Sequence, residues 1–445
     1  MKYNIGLTTF TLICISSIIN LRNANTFIVM QDKMLFIMAI CMLLFFVPCV
    51  LVSMNFAFIH GRESGIYYWV KQTLGCRLGL YAAYFQWFEN VFYFPLQLSF
   101  IISSILTLTG FDADNHMIHF LLINMVFWFT TYIGYLGMNV SGRLIAICTV
   151  LGLLIPTLIM FYFSFFLPNI FSQQKFTMPV KSLLDVNLVT QFSFCLAAFM
   201  GIEVTAVHAR DFARPKKQVP LGIGITAVAT MVIMAIVSLI VLQLLSDYQS
   251  ISINSALVDS FALIMRQWGL ANFQPFIVLL IVMGPIAGLT TWVISPVRTL
   301  HTTFADQGIF PDFIGAASDA KPGALLLAQG VLVSLLTTSY FVFDMFEIIE
   351  LMSIALVVIY MLAYFLMFYA ALKLPAAQKS QFLSKRAINV SVVLGLLGTV
   401  LFLMAGLYST VHMLLVKHWS KSIFIIAIGV LCFGVPWLLK GEEHA

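Results

Sequence analysis

Two long apolar segments of this chain are interrupted midway, at Ile15-Ser16-Ser17-Ile18-Ile19-Asn20 and at Phe199-Met200-Gly201-Ile202-Glu203. A backbone that leaves its helix inside hydrocarbon loses hydrogen bonds that no water replaces, so such interruptions persist only where they are buried in protein or line a cavity. That these segments belong in hydrocarbon follows from composition: 61% of the 445 residues are hydrophobic and 9% are charged, against about 25% charged in soluble proteins. The sequence therefore reads as a polytopic membrane protein.

About 20 apolar residues cross a bilayer core, which places about twelve spans near 5–30, 34–58, 78–108, 116–136, 143–167, 187–209, 220–245, 272–302, 324–343, 346–372, 388–413 and 420–439. The first stretch exceeds the roughly 7–15 apolar residues of a signal peptide and lacks a small-residue cleavage site, so it counts as a span. With both termini cytoplasmic, most of the 23 Lys and Arg fall on the cytoplasmic side, most densely from Arg210 to Lys217, whereas the outer loop Phe111 to His116 has none. This obeys the positive-inside rule and implies a multi-pass plasma-membrane protein, in the inner membrane if the source is Gram-negative.

The breaks lead the first and sixth spans. Spans one to five (1–170) and six to ten (185–373) can be overlaid as two sets, and because five is odd the second set enters from the opposite side. Two further spans occupy 386–440. The expected fold is thus all-α, a 5+5 inverted repeat with helices 1 and 6 broken, in a single transporter domain; matched breaks of this kind mark secondary carriers with a midplane site.

Other function classes lack their residues. The basic residues are scattered rather than clustered with aromatics, which excludes a nucleic-acid partner. Cys14, Cys41, Cys49, Cys76, Cys148, Cys195 and Cys432 show no C-x-x-C spacing and mostly sit in apolar spans, as small hydrophobes do. His116 and His119 are the one close histidine pair, without the further ligands of a metal site; no cofactor is implied. Gly222-Ile223-Gly224 opens a membrane span instead of following a strand, so it is not a dinucleotide fingerprint, and Asn139 and Asn389, in Asn-x-Ser sequences, fall on the cytoplasmic side. No convergent nucleophile, base or metal ligands suggest an enzyme, and no cytoplasmic loop is long enough for the output domain of a transporter-like nutrient sensor.

A charged solute held at the midplane needs donors for its anionic groups and acceptors for its cationic ones. Half-helix ends supply both through their backbones, which nominates Ser16, Ser17, Ile18 and Ile19 from the first break and Phe199, Met200, Gly201 and Ile202 from the second. The plainer reading of Ser16 and Ser17 is hydroxyls bonded back to the preceding turn. Glu203 and Glu89 are the acids placed deep in hydrocarbon, where ionisation is costly; Glu203 suits a proton-linked or gating role, and Glu89 with Asn90 fits better a polar cluster pinning span three. Arg22 reads as a side chain reaching the outer interface. Trp292, Trp87, Tyr93 and Phe199 are aromatics able to close over a solute, each competing with a packing or lipid-facing role.

Phe199 to His208, followed by Ala213-Arg214-Pro215 and Val219-Pro220, resembles the sixth helix and following loop of the amino acid/polyamine/organocation superfamily, and most of all its glutamate/GABA antiporter branch. Asn20-Leu21-Arg22-Asn23, Ser64-Gly65-Ile66-Tyr67-Tyr68-Trp69-Val70 and Ala305-Asp306-Gln307-Gly308-Ile309-Phe310-Pro311 match in order. The resemblance implies the fold of the bacterial leucine transporter with two added helices, and exchange or proton-linked movement of amino acids or related amines by a monomer or homodimer in lipid, with gates on helices three, six and eight. Asn55 stands where many relatives keep a glutamate, and Ala24 where the branch usually has proline. The tail Lys440 to Ala445 is too short for the branch's acid-responsive plug. Proton-coupled symport without exchange is the alternative.

Overall fold

An amide in hydrocarbon is satisfied most simply within its own helix, and each apolar run accordingly folds as helix. The structure, a computed structural model, describes residues 6–439 apart from 29, 62, 64, 110–114, 167–185, 212–213, 246–255, 310–321, 344, 380–381 and 416–418. The outer loop 111–114, the boundary between the two expected repeats and the tail 440–445 lie outside the described residues.

In chain order the helices are α1 (Leu7–Ile18), α2 (Asn23–Ile28), α3 (Gln31–His60), α4 (Ile66–Leu74), α5 (Cys76–Phe88), α6 (Asn90–Thr109), α7 (His116–Leu136), α8 (Val140–Ser164) and α9 (Val186–Phe199). There follow α10 (Pro215–Leu245), α11 (Ala256–Gln267), α12 (Gln274–Asp306), α13 (Gly323–Thr337), α14 (Met345–Lys373), α15 (Lys385–Leu415) and α16 (Trp419–Leu438). No strand occurs among the described residues. Ten helical segments there are long and apolar enough to cross a membrane, α5 and α6 forming one of them. The expected first span, a broken helix, is the two short helices α1 and α2, and the last contains the shorter apolar helix Ile423–Leu438.

Burial sorts these helices. In the apolar centres of Cys76–Leu106 and Gln191–Ala209, 89% of residues are buried, against 28% in His116–Leu136. The segments carrying Glu89 and the second break thus run through the middle, while Met125 and Phe129 on α7, Leu158 on α8 and Met404 on α15 face outward, as side chains solvated by lipid tails do. Gly222 lies inside α10, packed on Phe10 of α1.

Two helices are loosened in the same way. α3 contains a π-turn at Met42–Phe46 ahead of Pro48, and α8 one at Val150–Leu154 ahead of Pro156. A proline has no N–H for the carbonyl four residues back, which frees Leu44 and Gly152. Glycines cover both carbonyls: a Cβ on Gly398 of α15 would lie 2.3 Å from the Leu44 oxygen, and one on Gly284 of α12 2.7 Å from the Gly152 oxygen. Small residues let helix backbones approach this closely in membranes.

At one end of the molecule α4 is tied to α12. Tyr67 and Lys71 both donate to the Asp306 carboxylate, and Gln307 Nε2 donates to the Cys76 carbonyl at 2.7 Å. Burial, then the bond to Asp306, pushes the Tyr67 hydroxyl above its ordinary range, so it remains a donor. Partial burial works to lower the Lys71 pKa, but the bond to Asp306 outweighs it and the net direction is up. The ammonium therefore stays charged at neutral pH and through the ordinary lysine range.

The glycine contact gives a direct test. A Cβ on Gly152 would sit 2.0 Å from the Gly284 nitrogen, and overpacking of this sort costs about 1–3 kcal/mol. Gly152→Ala is expected to lower the melting temperature of the detergent-purified protein by several degrees, whereas Gly429→Ala, where nothing lies within 4 Å of the added carbon, leaves it unchanged.

Candidate functional site

Helix α1 ends at Ile18, and Ile19 turns extended at φ −78° and ψ 111°. The first break therefore opens at Ile19–Arg22, a few residues later than the sequence suggested. The reason is local. The hydroxyls of Ser16 and Ser17 bond back to the Ile13 and Cys14 carbonyls at 2.8 Å, inside a helix that continues past them. The opening is held by Asn20, whose Nδ2 donates to Gln97 Oε1 at 2.6 Å while its Oδ1 accepts from the Arg22 amide at 3.1 Å. Asn23 and Ala24 then restart a helix by donating to the Asn20 and Leu21 carbonyls.

The second break runs from Met200 to Glu203, between α9 and a 3₁₀ turn at Val204–Asp211. Gly201 has φ +105°, a conformation side chains disfavour, and a Cβ there would meet the Trp292 ring at 2.4 Å. Its amide donates to Tyr364 Oη at 2.8 Å. The neighbouring Glu203 is fully buried. One carboxylate oxygen accepts from Tyr360 Oη and from Gln86 Nε2 at 3.1 Å, and the other from Tyr364 Oη at 2.7 Å. Tyr360 and Tyr364 stand one turn apart on α14, so a single helix face presents both donors.

The two breaks meet at a cavity of about 40 Å³ lined by Ser17, Ile18, Asn20, Met200, Trp292 and Tyr360, with Arg22, Glu89, Tyr93 and Ser353 also on its wall. Trp292, 4% exposed, donates from Nε1 to the Ser17 carbonyl at 2.7 Å, and its ring lies 5.4 Å from Tyr93 and 6.1 Å from Tyr360. Among the sequence candidates, Ser17, Ile18, Met200, Glu89, Tyr93 and Trp292 line this space. Ser16 bonds to Thr291 at 3.0 Å behind it, Gly201 and Glu203 lie beneath the indole and the tyrosines, and Ile19 and Ile202 are buried without facing it. Two aromatic candidates are placed elsewhere: Phe199 packs on Phe46 and Phe27 at 5.2 and 6.4 Å, and Trp87 packs on Tyr84 at 5.7 Å. Gln86, Tyr360, Tyr364, Asn20 and Gln97 were not among the candidates. The legible signal for the tyrosines was their i, i+4 spacing in an otherwise apolar span, since a buried phenol needs a partner.

A profile of the amino acid permease family matches residues 5–435. The chain belongs to the amino acid permease family. This permease is 24% identical over 413 residues to an uncharacterized transporter of Legionella pneumophila, covering 90% of its own length and 89% of that protein's. It is 27% identical over 342 residues to a glutamate/gamma-aminobutyrate antiporter of Lactococcus lactis, covering 74% and 67% of the two chains. Its fold is similar to the crystal structure of MhsT in complex with L-phenylalanine, at TM-score 0.64 and 13% identity over 92% of this chain and all of the other. The permease is therefore a multi-pass membrane transporter of the superfamily that the sequence resembled, near the glutamate/GABA antiporter branch, and not an enzyme.

The contact between Gly201 and Trp292 carries a prediction. Gly201→Ala forces a side chain into a positive-φ position beneath the indole, at a cost of about 1–3 kcal/mol. The expected result is a protein that still elutes as a single species by size exclusion but loses at least tenfold in initial transport rate.

Proposed function

We propose that this permease exchanges amino acids or related amines across the plasma membrane by alternating access, with the solute held between its two helix breaks. The observation that carries this reading is the convergence of Ser17 and Ile18 from one break and Met200 from the other on a single cavity capped by Trp292. The end of α1 and the opened backbone at Met200 bring main-chain groups of two half-helices to the same space, as a charged solute requires. By this measure a water needs about 10–15 Å³, so the cavity of about 40 Å³ holds a few waters, and a bound amino acid requires Trp292, Tyr93 and Tyr360 to swing apart. Those aromatics then act as gates. The repeats 1–170 and 185–373 supply the elements that rock about the site, and exchange is favoured over uniport by the relatives named as antiporters.

Proton coupling is a second reading, favoured by Glu203. Its two oxygens receive three donors, and Tyr364 links it to the Gly201 amide. A change in its charge is thereby transmitted to the second break. In proteoliposomes, labelled amino acid is expected to accumulate by counterflow only when unlabelled amino acid is inside; a wide panel without counterflow overturns exchange. Glu203→Gln is expected to preserve exchange within about threefold and to abolish its response to a pH gradient.

The orientation with both termini cytoplasmic is tested without mutagenesis. Cys76 is exposed and the other six cysteines are buried. A membrane-impermeant maleimide is expected to label inverted vesicles at Cys76 and to leave intact cells or right-side-out vesicles unlabelled.

A further inference from the structure

Two ionisable side chains on the cavity wall remain unused by the site as derived. Glu89 is 1% exposed and Arg22 8%, and both line the space shared by Ser17, Ile18 and Met200. Glu89 is the turn residue between α5 and α6, where the span is interrupted. Its Oε1 has no hydrogen-bond partner. Arg22 lies in the first break; its backbone amide is bonded to Asn20, but no hydrogen bond or ion pair reaches its guanidinium among the described residues. The two side chains are not paired with each other. Unpaired opposite charges removed from bulk water are costly, yet both sit on the same small cavity.

Several of the nearby groups already have partners. The Ser17 carbonyl accepts from Trp292, the Gly201 amide donates to Tyr364, the Ile19 amide donates to Ile15, and Glu203 is occupied by Gln86, Tyr360 and Tyr364. Asn20 Nδ2 is taken by Gln97. Free capacity for charge on this wall resides in Glu89 and Arg22. Resting on the carrier reading, we infer that these two residues read charge in this cavity: Glu89 takes the ammonium and Arg22 the carboxylate of a dipolar solute whose opposite charges sit at separate ends. Charge-assisted hydrogen bonds at both ends favour that solute, while one carrying only an amine or only an acid leaves the other wall charge unmatched.

The test is calorimetric binding to the purified full chain of straight-chain ω-amino acids of increasing length, the matching alkylamines and alkanoates, and a panel of α-amino acids. The wild-type protein is expected to bind an ω-amino acid at least tenfold more tightly than the amine or acid of equal length. Glu89→Gln is expected to weaken amine-bearing solutes by about tenfold to a hundredfold and to leave alkanoates unchanged; Arg22→Gln is expected to do the reverse. If either variant melts well below the wild type without ligand, Glu89→Asp or Arg22→Lys replaces it, with an intermediate loss confined to the same end. Binding of α-amino acids by the wild type with affinities untouched in both variants overturns this inference and leaves the carrier reading standing. Binding of no panel solute by the wild type overturns both.

Discussion

The structure depends on one constraint: a peptide group in hydrocarbon must find its partner within the protein. Across most of the chain that partner is the residue one turn away. Around the breaks at Ile19 to Arg22 and Met200 to Glu203 that ladder is interrupted, and side chains, some from distant helices, supply part of the replacement. Asn20 and Gln97, Trp292 and Ser17, and Tyr364 and Gly201 each spend a polar side chain on an opened backbone or on the side chain that holds it. The broken segments are therefore cross-linked to distant helices.

The same accounting explains the scaffold. Prolines in α3 and α8 free carbonyls that would be exposed to lipid, and glycines on α15 and α12 press against them. Each close approach forms only where a helix lacks a side chain. The surrounding faces need nothing so specific: apolar side chains on α7, α8 and α15 meet lipid as readily as protein, which is why they remain exposed. Specificity is concentrated along the inner helices, and the outer ones are set chiefly by length and hydropathy.

Much of the fold was legible for this reason. Span positions follow from hydropathy, and Gly201 beside Glu203 in an apolar run marked a break that the structure places there. The first break was displaced because serine reads as a helix breaker in composition but can bond back within a helix, as Ser16 and Ser17 do; Asn20, whose side chain reaches another helix, is what opens the chain. The partners of Glu203 were less accessible. Tyr360 and Tyr364 lie far from it in sequence, and one-dimensional periodicity cannot say which helix a buried phenol faces. Trp87 and Phe199 illustrate the converse difficulty: aromatics close in sequence to a site are abundant in such a chain, and only packing distinguishes a wall of the cavity from its backing.

Trp292 sits where both breaks can be felt at once, its indole nitrogen on the Ser17 carbonyl and its ring against Gly201. It thus occupies, as a resident surrogate, an acceptor left open at the end of α1. In the carrier reading proposed above, a solute group that seeks that oxygen displaces the indole, and apparent affinity is then reduced by the fraction of time the indole stays in place. Eviction also lifts the ring from the glycine beneath, which makes entry at one half-helix mechanically audible at the other.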